Sequence, residues 1–377
     1  MKIAAVIDEN WSTSGKDKFL DVSFYRKIKD QRNADALIVL TAGEFGQDGT
    51  IAKRDKYRKA KLMRNYGADL VLELPIYCTL TALDTFAFAA VSMLEKLNCV
   101  NELVVFTEGT KEEFISEIAQ FLFVESEEYQ NTIKKYCAAG LSFASAQAQA
   151  VEHYIPGSGK VLECAVNRAA VEYAKAMKRM YSTMSLCFFE CDMGKADGDN
   201  VEEISDICKE AVWKDRSGRS LATRFSRTLE AVPELHREKY LNEISGGYAP
   251  ETRKILSAYR KQNLVNFEQF AELLDEDGRE AEDTKRYLLR VILGIRQVDI
   301  SICGLYSYAL YVRALGRYGK CPLFAMVKTL SWIPVFSDDG SGGEGEAEAA
   351  AQMDDSGRIL LEIDRRAKEL HRLICRT

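Results

Sequence analysis

The chain of 377 residues contains 47% hydrophobic and 29% charged residues, which is typical of a globular protein and excludes a disordered or membrane-embedded chain. Its length exceeds the usual size of one domain, so we expect two bodies. The net charge of −6 argues against non-specific coating of nucleic acid, although a local basic patch would still be able to bind phosphates.

The sequence starts with MKIAAVIDEN, without a basic leader, and has no apolar run long enough to span a bilayer. We therefore expect a cytoplasmic protein with no membrane partner. The ten cysteines are scattered from Cys78 to Cys375, which favours reduced core thiols over a disulfide framework. Cys187 and Cys191 are close together, but the three histidines are remote from them in sequence, so we expect no transition metal.

Four short apolar runs have the length and residue types of β-strands, at residues 3–7, 36–40, 70–74 and 103–106. The segments between and after them carry apolar residues at three- and four-residue spacing, which is typical of crossover helices, around residues 19–28, 56–66, 80–97 and 111–123. This alternation predicts an α/β fold with a doubly wound parallel sheet over residues 1–125. In such a sheet, ligands bind beyond the carboxyl ends of the strands.

The rest of the chain has mainly helical patterns, around residues 167–180, 201–213, 251–274 and 284–295. Residues 126–336 are therefore predicted to form a mainly α-helical domain. Residues 337–357 are rich in glycine and acidic side chains, which indicates a flexible insertion. Residues 358–377 regain an apolar period, and we expect this C-terminal segment to pack back on the body.

The most specific stretch is TAGEFGQDGTIAKRDKYRKAKLMRNYGADLVLELP, at residues 41–75. It resembles the signature region of the bacterial tRNA(Met) cytidine acetate ligases, whose pattern is roughly SGxFxQRGEPAxxxKxxRxxMAxxxGxDLVxELP. The matching residues are Gly43, Phe45, Gln47, Gly49, Lys56, Gly67, Asp69, Leu70, Val71, Glu73, Leu74 and Pro75. Further matches follow at residues 82–99 and 104–109, and weaker ones extend the resemblance over nearly the whole chain.

The resemblance implies the fold of the HIGH-motif nucleotidyltransferase superfamily, with residues 1–125 as the nucleotide-binding domain. It implies ATP, accompanied by Mg²⁺, and as partners a small carboxylic acid such as acetate, and tRNA. In the family reaction, acetate and ATP give acetyl-adenylate, whose acetyl group passes to N4 of a wobble cytidine in elongator tRNA(Met). The family holds the phosphates with an HxGH element at the start of the first helix, where the helix N-terminus also favours anions.

The first-helix element departs from the family pattern. Where the family reads roughly EYNPFHNGHxxH, this chain reads DENWSTSGKDKF, which keeps Asn10 and Gly15. In register, Thr13 and Lys16 replace the two histidines, and no histidine precedes residue 153. Lys16 keeps a positive charge, and Thr13 and Ser14 are hydroxyl donors. We predict Thr13 and Lys16 as catalytic substitutes and Asn10, Ser14, Gly15 and Lys16 as nucleotide contacts, with reduced activity because each lost donor costs roughly a hundredfold in rate.

Two further nucleotide contacts are predicted elsewhere in the chain. Lys56 matches the motif lysine, and Asn167 aligns with the asparagine of the family's PNxIL element. Around Lys56, basic residues are concentrated with only Asp55 opposing them: Lys53, Arg54, Lys56, Arg58, Lys59, Lys61 and Arg64. A solvated helix face would show the same pattern, but such density in an acidic protein favours contact with phosphates. We predict RNA contacts at Lys53, Arg54, Arg58 and Lys59.

Two acidic residues flank the third predicted strand and admit two interpretations. Asp69 and Glu73 would suit acid–base chemistry as paired carboxylates. A structural role, in which they hold a loop or a helix end, is the alternative that we favour. For the whole chain, three functions stay open: a divergent acetate ligase, a non-catalytic nucleotide- or RNA-binding relative, and an adenylating enzyme with a different acid or acceptor.

Overall fold

The computed structural model of the protein describes residues 1–8, 23–141, 143–190, 204–261, 264–274, 281–341 and 344–376. The strands are β1 (Ile3–Asp8), β2 (Ala36–Ala42), β3 (Leu70–Leu74), β4 (Glu102–Thr107), β5 (Ser185–Glu190), β6 (Val312–Leu315) and β7 (Val335–Asp338). The helices up to β5 are α1 (Phe24–Gln31), α2 (Lys56–Asn65), α3 (Ile76–Thr79), α4 (Leu83–Lys96), α5 (Glu112–Val124), α6 (Glu127–Ala138), α7 (Phe143–Tyr154), α8 (Ser158–Glu163) and α9 (Ala165–Arg179). Those after β5 are α10 (Ile204–Glu230), α11 (Arg237–Glu243), α12 (Ala249–Lys261), α13 (Phe267–Leu274), α14 (Ala281–Leu293), α15 (Gln297–Leu305), α16 (Pro322–Leu330), α17 (Glu344–Gln352) and α18 (Asp355–Arg376).

The seven described strands form one sheet in the order β5-β4-β1-β2-β3-β6-β7. Strands β1 to β5 run parallel, β6 is antiparallel to β3, and β7 is parallel to β6. The chain runs outwards from β1 to β3 and then returns to the other side of β1 with β4. The strand order therefore reverses between β1 and β4, as in doubly wound sheets, and the predicted α/β class is confirmed.

Helices cover both faces of the sheet, which explains why its central strands are apolar runs without alternation. Ile3, Ala5 and Ile7 of β1 belong to one buried cluster, together with residues of α4 and α9. Ala4 and Val6 of the same strand belong to a second cluster, on the side of α1 and α2. Successive side chains of a strand point to opposite faces, so both sides of β1 are buried.

Three strands lie beyond residue 125, where the sequence predicted a mainly helical domain. β5 pairs with β4, and β6 and β7 extend the sheet beyond β3. β6 and β7 are only four residues long and include Arg313 and Asp338, so neither forms an apolar run in the sequence. The later part of the chain therefore shares the sheet of the first part.

Residues 337–357 also differ from the prediction of a flexible insertion. β7 ends at Asp338, and α17 follows, with Ala349 and Met353 buried. The acidic Glu346 pairs with Arg313 at 3.4 Å and with Arg365 at 2.6 Å. The prediction was wrong for the described part of this segment because cations from other parts of the chain match its charge, which local composition does not reveal.

Buried charges join the sheet to the C-terminal helix α18. The carboxylate of Glu73, on β3, accepts hydrogen bonds from Lys56 Nζ at 2.8 and 3.0 Å and from Arg313 Nη1 at 2.6 Å. Glu44 Oε1 lies 3.2 Å from Lys56 Nζ, and Asp364 of α18 accepts from Arg313 Nη1 at 3.2 Å. We call these five residues the buried network. Because an unpaired buried charge is costly, each member depends on the others.

The carboxylates of the buried network outnumber its cations, and their pKa values differ accordingly. Burial alone would raise the pKa of Glu73, but Lys56 and Arg313 hold it below its usual value. Within the network, Asp364 forms an ion pair with Arg313 and not with Lys56. Burial raises the pKa of Asp364 to about 6. Its Oδ2 also accepts a hydrogen bond from the Tyr311 hydroxyl at 2.5 Å. Asp364 is therefore the member of the network that takes up a proton most readily.

Replacing Arg313 tests the buried network. Arg313→Met leaves Glu73 and Asp364 buried without their shared cation, so we expect the free energy of unfolding to fall by about 3–5 kcal/mol in urea denaturation. Arg317→Met is the matched control, because this side chain is 83% exposed and pairs with Asp339 at the surface. It should cost less than about 1 kcal/mol. Equal losses in the two variants would contradict this account.

The raised pKa of Asp364 predicts a pH dependence of stability. Between about pH 4 and pH 6, the folded protein keeps a proton on Asp364 that the unfolded chain releases. The contribution of Asp364 to the free energy of unfolding is therefore complete below about pH 4 and is lost as the pH rises through about 6. Urea denaturation at stepped pH should show the wild type losing stability relative to Asp364→Asn in this window, by up to about 3 kcal/mol. A difference that stays constant between pH 4 and 7 would refute the assignment.

Candidate functional site

A cavity of about 710 Å³ lies at the carboxyl end of β4. Its walls come from the loop after β4, the start of α5, helix α8 and the start of α9. The lining residues are Glu108, Gly109, Thr110, Lys111, Phe114, Lys160, Val161, Cys164 and Asn167. Because the strand order reverses between β1 and β4, the cavity lies where doubly wound proteins bind their ligands, and its volume is in the range of small-molecule sites.

Asn167 lines the cavity and holds one of its walls. Its buried side-chain oxygen accepts a hydrogen bond from the Glu108 backbone N–H at 2.9 Å. Its side-chain nitrogen donates to the Glu108 carbonyl oxygen at 2.8 Å and to the Thr110 hydroxyl at 3.0 Å. The structure thus places this sequence-predicted residue in the cavity, where it fixes the loop after β4.

The cavity wall combines positive charge with an aromatic ring. Lys111 and Lys160 carry charges suited to phosphates, and Phe114 offers an apolar surface for a base. Lys111 is also the residue that precedes α5, whose N-terminus favours anions. None of these three residues was predicted from the sequence. For Lys111 and Phe114, the available signal was their position just after an apolar strand and at the start of the helix that follows it.

The predicted residues of the first-helix element lie outside the described residues. They are Asn10, Thr13, Ser14, Gly15 and Lys16. Their segment starts after Asp8, the last residue of β1, and ends before Ser23, which precedes α1. Because β1 pairs with β4, this segment leaves the sheet on the strand next to the cavity. The roles of the five residues stay predictions.

Lys56, predicted as a nucleotide contact, lies in the buried network. Its side chain is 1% exposed, and its ammonium is bound by Glu44 and Glu73. Burial alone would lower the pKa of Lys56, but the two carboxylates raise it. A Cβ atom at Gly43 would lie 2.3 Å from Glu73 Oε1, so the glycine leaves room for this carboxylate. Gly43, Lys56 and Glu73 of the family-like signature therefore form part of the protein interior. A direct contact between Lys56 and a phosphate would require the ion pairs of Lys56 to break.

The predicted RNA contacts divide into exposed and buried residues. Lys53, Arg54 and Arg58 are exposed at the start of α2. Lys59 is 2% exposed, donates to the Ala42 carbonyl oxygen at 2.9 Å, and has its pKa lowered by burial. Lys59 was assigned wrongly to the exposed face, because α2 turns this position towards the sheet. The prediction of RNA contact is retained for the three exposed residues.

Asp69 and Glu73 both have structural partners, in agreement with the alternative that we favoured. Asp69 Oδ2 accepts hydrogen bonds from the Leu37 backbone N–H at 2.8 Å and from Lys29 Nζ at 3.1 Å. Glu73 is enclosed in the buried network. The two carboxylates therefore hold β3 and its neighbours together and are not arranged as an exposed acid–base pair.

The described residues contain neither a metal-ligating cluster nor a membrane-spanning helix. Within them, no group of three or more His, Cys, Asp or Glu side chains is placed to hold a metal ion. Cys187 Sγ accepts a hydrogen bond from Arg32 Nη2 at 2.9 Å, and Cys191 lies outside the described residues. In the same part of the chain, no helix is long and apolar enough to cross a membrane.

The role of Asn167 in holding the loop is testable without a ligand. Asn167→Ala removes three hydrogen bonds and leaves Glu108 backbone groups without their partner, so unfolding should become easier by about 1–3 kcal/mol. Amide hydrogen exchange at residues 108–111 should also accelerate. Thr110→Ala, which removes only one of these bonds, is the graded control. If both variants behave alike, the loop does not depend on Asn167.

Comparisons with known proteins agree with this fold. The tRNA(Met) cytidine acetate ligase of Acetivibrio thermocellus is 25% identical over 338 residues, which cover 80% of this chain and 80% of the relative. The protein of the same name from Clostridium botulinum (strain Loch Maree) is 32% identical over 166 residues, which cover 42% of this chain and 41% of the relative. Thermotoga maritima TmcAL, solved with bound alpha-thio ATP, matches with a TM-score of 0.80 at 18% identity, covering 99% of this chain and 95% of that chain.

The family model of the HIGH Nucleotidyl Transferase family matches residues 24–277. The match begins beyond the segment in which Thr13 and Lys16 stand in place of histidines. It includes α1, the loop after β4 and Asn167, and it spans more than half of the 377 residues. The chain therefore belongs to the HIGH nucleotidyl transferase family, and its curated relatives include tRNA(Met) cytidine acetate ligases.

Proposed function

We propose that the protein binds ATP in the cavity at the carboxyl end of β4 and activates a small carboxylic acid such as acetate for transfer to tRNA. The observation that carries this proposal is the cavity itself, which lies at the reversal of strand order and contains Asn167. The names of the relatives support acetate and tRNA(Met) as substrates. The alpha-thio ATP bound to the Thermotoga protein supports ATP as the nucleotide.

The proposed reaction has two steps. An acetate oxygen attacks the α-phosphorus of ATP, and pyrophosphate leaves with the electrons of the broken P–O bond. The N4 amine of a wobble cytidine then attacks the acyl carbon, AMP leaves, and the amine loses a proton. Both steps need donors where negative charge develops. Mg²⁺ bound with ATP takes most of its ligands from phosphate oxygens and water, so it requires no separate cluster of protein ligands.

Each predicted site residue has a stated part in this proposal. Lys16 neutralises charge on the phosphates, while Thr13 and Ser14 donate hydroxyl hydrogen bonds. Asn10 and Gly15 contact the nucleotide from the segment after β1, and Asn167 contacts it from the cavity wall, where it holds the loop after β4. Because Lys16 and Thr13 replace two imidazoles, we expect turnover well below that of a relative with both histidines, by roughly a hundredfold for each lost donor.

The replaced histidines also support a second candidate function. A relative that keeps the nucleotide cavity and an RNA-binding surface, but does not form an adenylate, would not need imidazoles at positions 13 and 16. A third candidate is an enzyme that adenylates a different acid or serves a different acceptor. Binding without pyrophosphate release would identify the second candidate, and exchange supported only by other acids would identify the third.

ATP–pyrophosphate exchange tests the proposed function. The purified protein should exchange labelled pyrophosphate into ATP only when acetate is present. Lys16→Ala should lower the exchange rate roughly a hundredfold, which is the effect expected for one lost phosphate donor. Lys18→Ala changes the same charge two residues further on and is the matched control. A folded wild type that binds ATP but shows no exchange with any acid would overturn the ligase proposal in favour of the non-catalytic relative.

A further inference from the structure

Two parts of the chain more than 300 residues apart meet at the start of α2. Nε2 of His371, on α18, lies 2.7 Å from the Ala52 carbonyl oxygen. One turn earlier, Lys368 Nζ donates to the Tyr57 hydroxyl at 2.6 Å and lies 4.9 Å from the centre of that ring. These contacts lie on either side of Lys53 and Arg54 in sequence, so the C-terminal helix runs beside the basic segment that precedes α2.

Helix α10 packs against α18, the helix that carries Lys368 and His371. Arg216 is exposed on α10. The guanidinium carbon of Arg216 is 5.1 Å from the ring centre of Trp213. An arginine and an aromatic ring therefore extend the basic segment on a third element.

The exposed charges that converge here are mainly positive. We define the basic face as Lys53, Arg54, Arg58, Arg216 and Arg372, all of which are exposed. Two carboxylates on the same elements, Asp55 and Glu369, already have partners. Asp55 caps α2 by accepting from backbone N–H groups and lies 3.3 Å from Arg58 Nε, and Glu369 pairs with Arg372 at 2.7 Å. In a chain with a net charge of −6, this surface is a local positive region.

The basic face and the cavity both lie in parts of the chain that follow the carboxyl ends of parallel strands. The segment that precedes α2 follows the carboxyl end of β2, and the cavity follows the carboxyl end of β4. β1 is the single strand between β2 and β4. Neighbouring strands are about 4.8 Å apart, so the two strand ends are separated by roughly 10 Å across the sheet. The segment that leads to the basic face and the loop that lines the cavity therefore leave the sheet two strands apart.

We propose that the basic face binds the phosphate backbone of a folded RNA, with α10 and α18 completing a surface that the segment before α2 begins. This inference rests on the proposed function where it takes the RNA to be the tRNA acceptor. Arginine binds phosphate oxygens with two parallel hydrogen bonds, and the exposed Arg216 guanidinium, which lies over the Trp213 ring, is a planar group on which an unpaired base would stack. A single solvated helix face would carry similar charges. Here, however, the positive charges come from three elements that lie far apart in sequence, which favours a shared binding surface.

Fluorescence anisotropy with labelled elongator tRNA(Met) transcript, without ATP or acetate, tests this surface. Arg216→Ala and Arg372→Ala should each weaken binding roughly tenfold at 0.1 M salt and lower the slope of log K against log salt concentration by about 1. The triple variant K53A/R54A/R58A should lower that slope by about 3. Arg253→Ala and Arg260→Ala are matched controls, because these arginines of α12 are exposed and paired with carboxylates as Arg372 is. The controls should keep wild-type affinity.

The outcomes separate this inference from the proposed function. Loss of affinity in the triple variant alone would overturn the contribution of α10 and α18. If the α12 controls lose as much affinity for tRNA as the variants of the basic face, the effect is one of overall charge, and the proposed surface is overturned. Because the assay contains no ATP, a protein that fails ATP–pyrophosphate exchange but shows the predicted pattern of tRNA binding would support the surface while refuting the ligase proposal. Unchanged thermal unfolding midpoints verify that each variant is folded.

Discussion

The buried carboxylate of Glu73 is the group on which the rest of the structure most depends. It receives one cation from α2, Lys56, and one from β6, Arg313, which in turn binds Asp364 on α18. A buried pair of this kind adds little net stability over apolar packing, but loss of one partner is severe because the other charge stays buried. The network therefore specifies which elements must come together, and it joins the beginning of the chain to its end.

This constraint also arranges the surface. Asp364, Lys368 and His371 lie on one side of α18, and their contacts with Arg313, Tyr57 and Ala52 hold the helix beside α2. The exposed arginines next to them are thereby brought to the carboxyl side of the sheet. The cavity at the carboxyl end of β4 is on the other side of β1 and depends on a separate neutral interaction, the three hydrogen bonds of Asn167.

The sequence predicted what depends on local pattern and missed what depends on distant partners. The strands before residue 125 consist mainly of short apolar runs, and their parallel order follows from the helices between them. Asn167 was identified by resemblance, and the structure places it in the cavity wall. Lys56 and Lys59 looked like members of one basic helix face, but Glu73 and the Ala42 carbonyl oxygen enclose them. No period within α2 indicates this, because Arg313, which shares Glu73 with Lys56, is 240 residues away from that carboxylate.

A crystal structure with a non-hydrolysable ATP analogue tests the central claim most directly, because it locates the nucleotide without requiring turnover. This account predicts the analogue in the cavity between the loop after β4 and the start of α9, with its phosphates directed towards the segment that follows β1 and Lys16 in contact with them. An analogue bound elsewhere, or phosphates held without Lys16, would contradict the assignment of this cavity and of the residue proposed to replace the histidine.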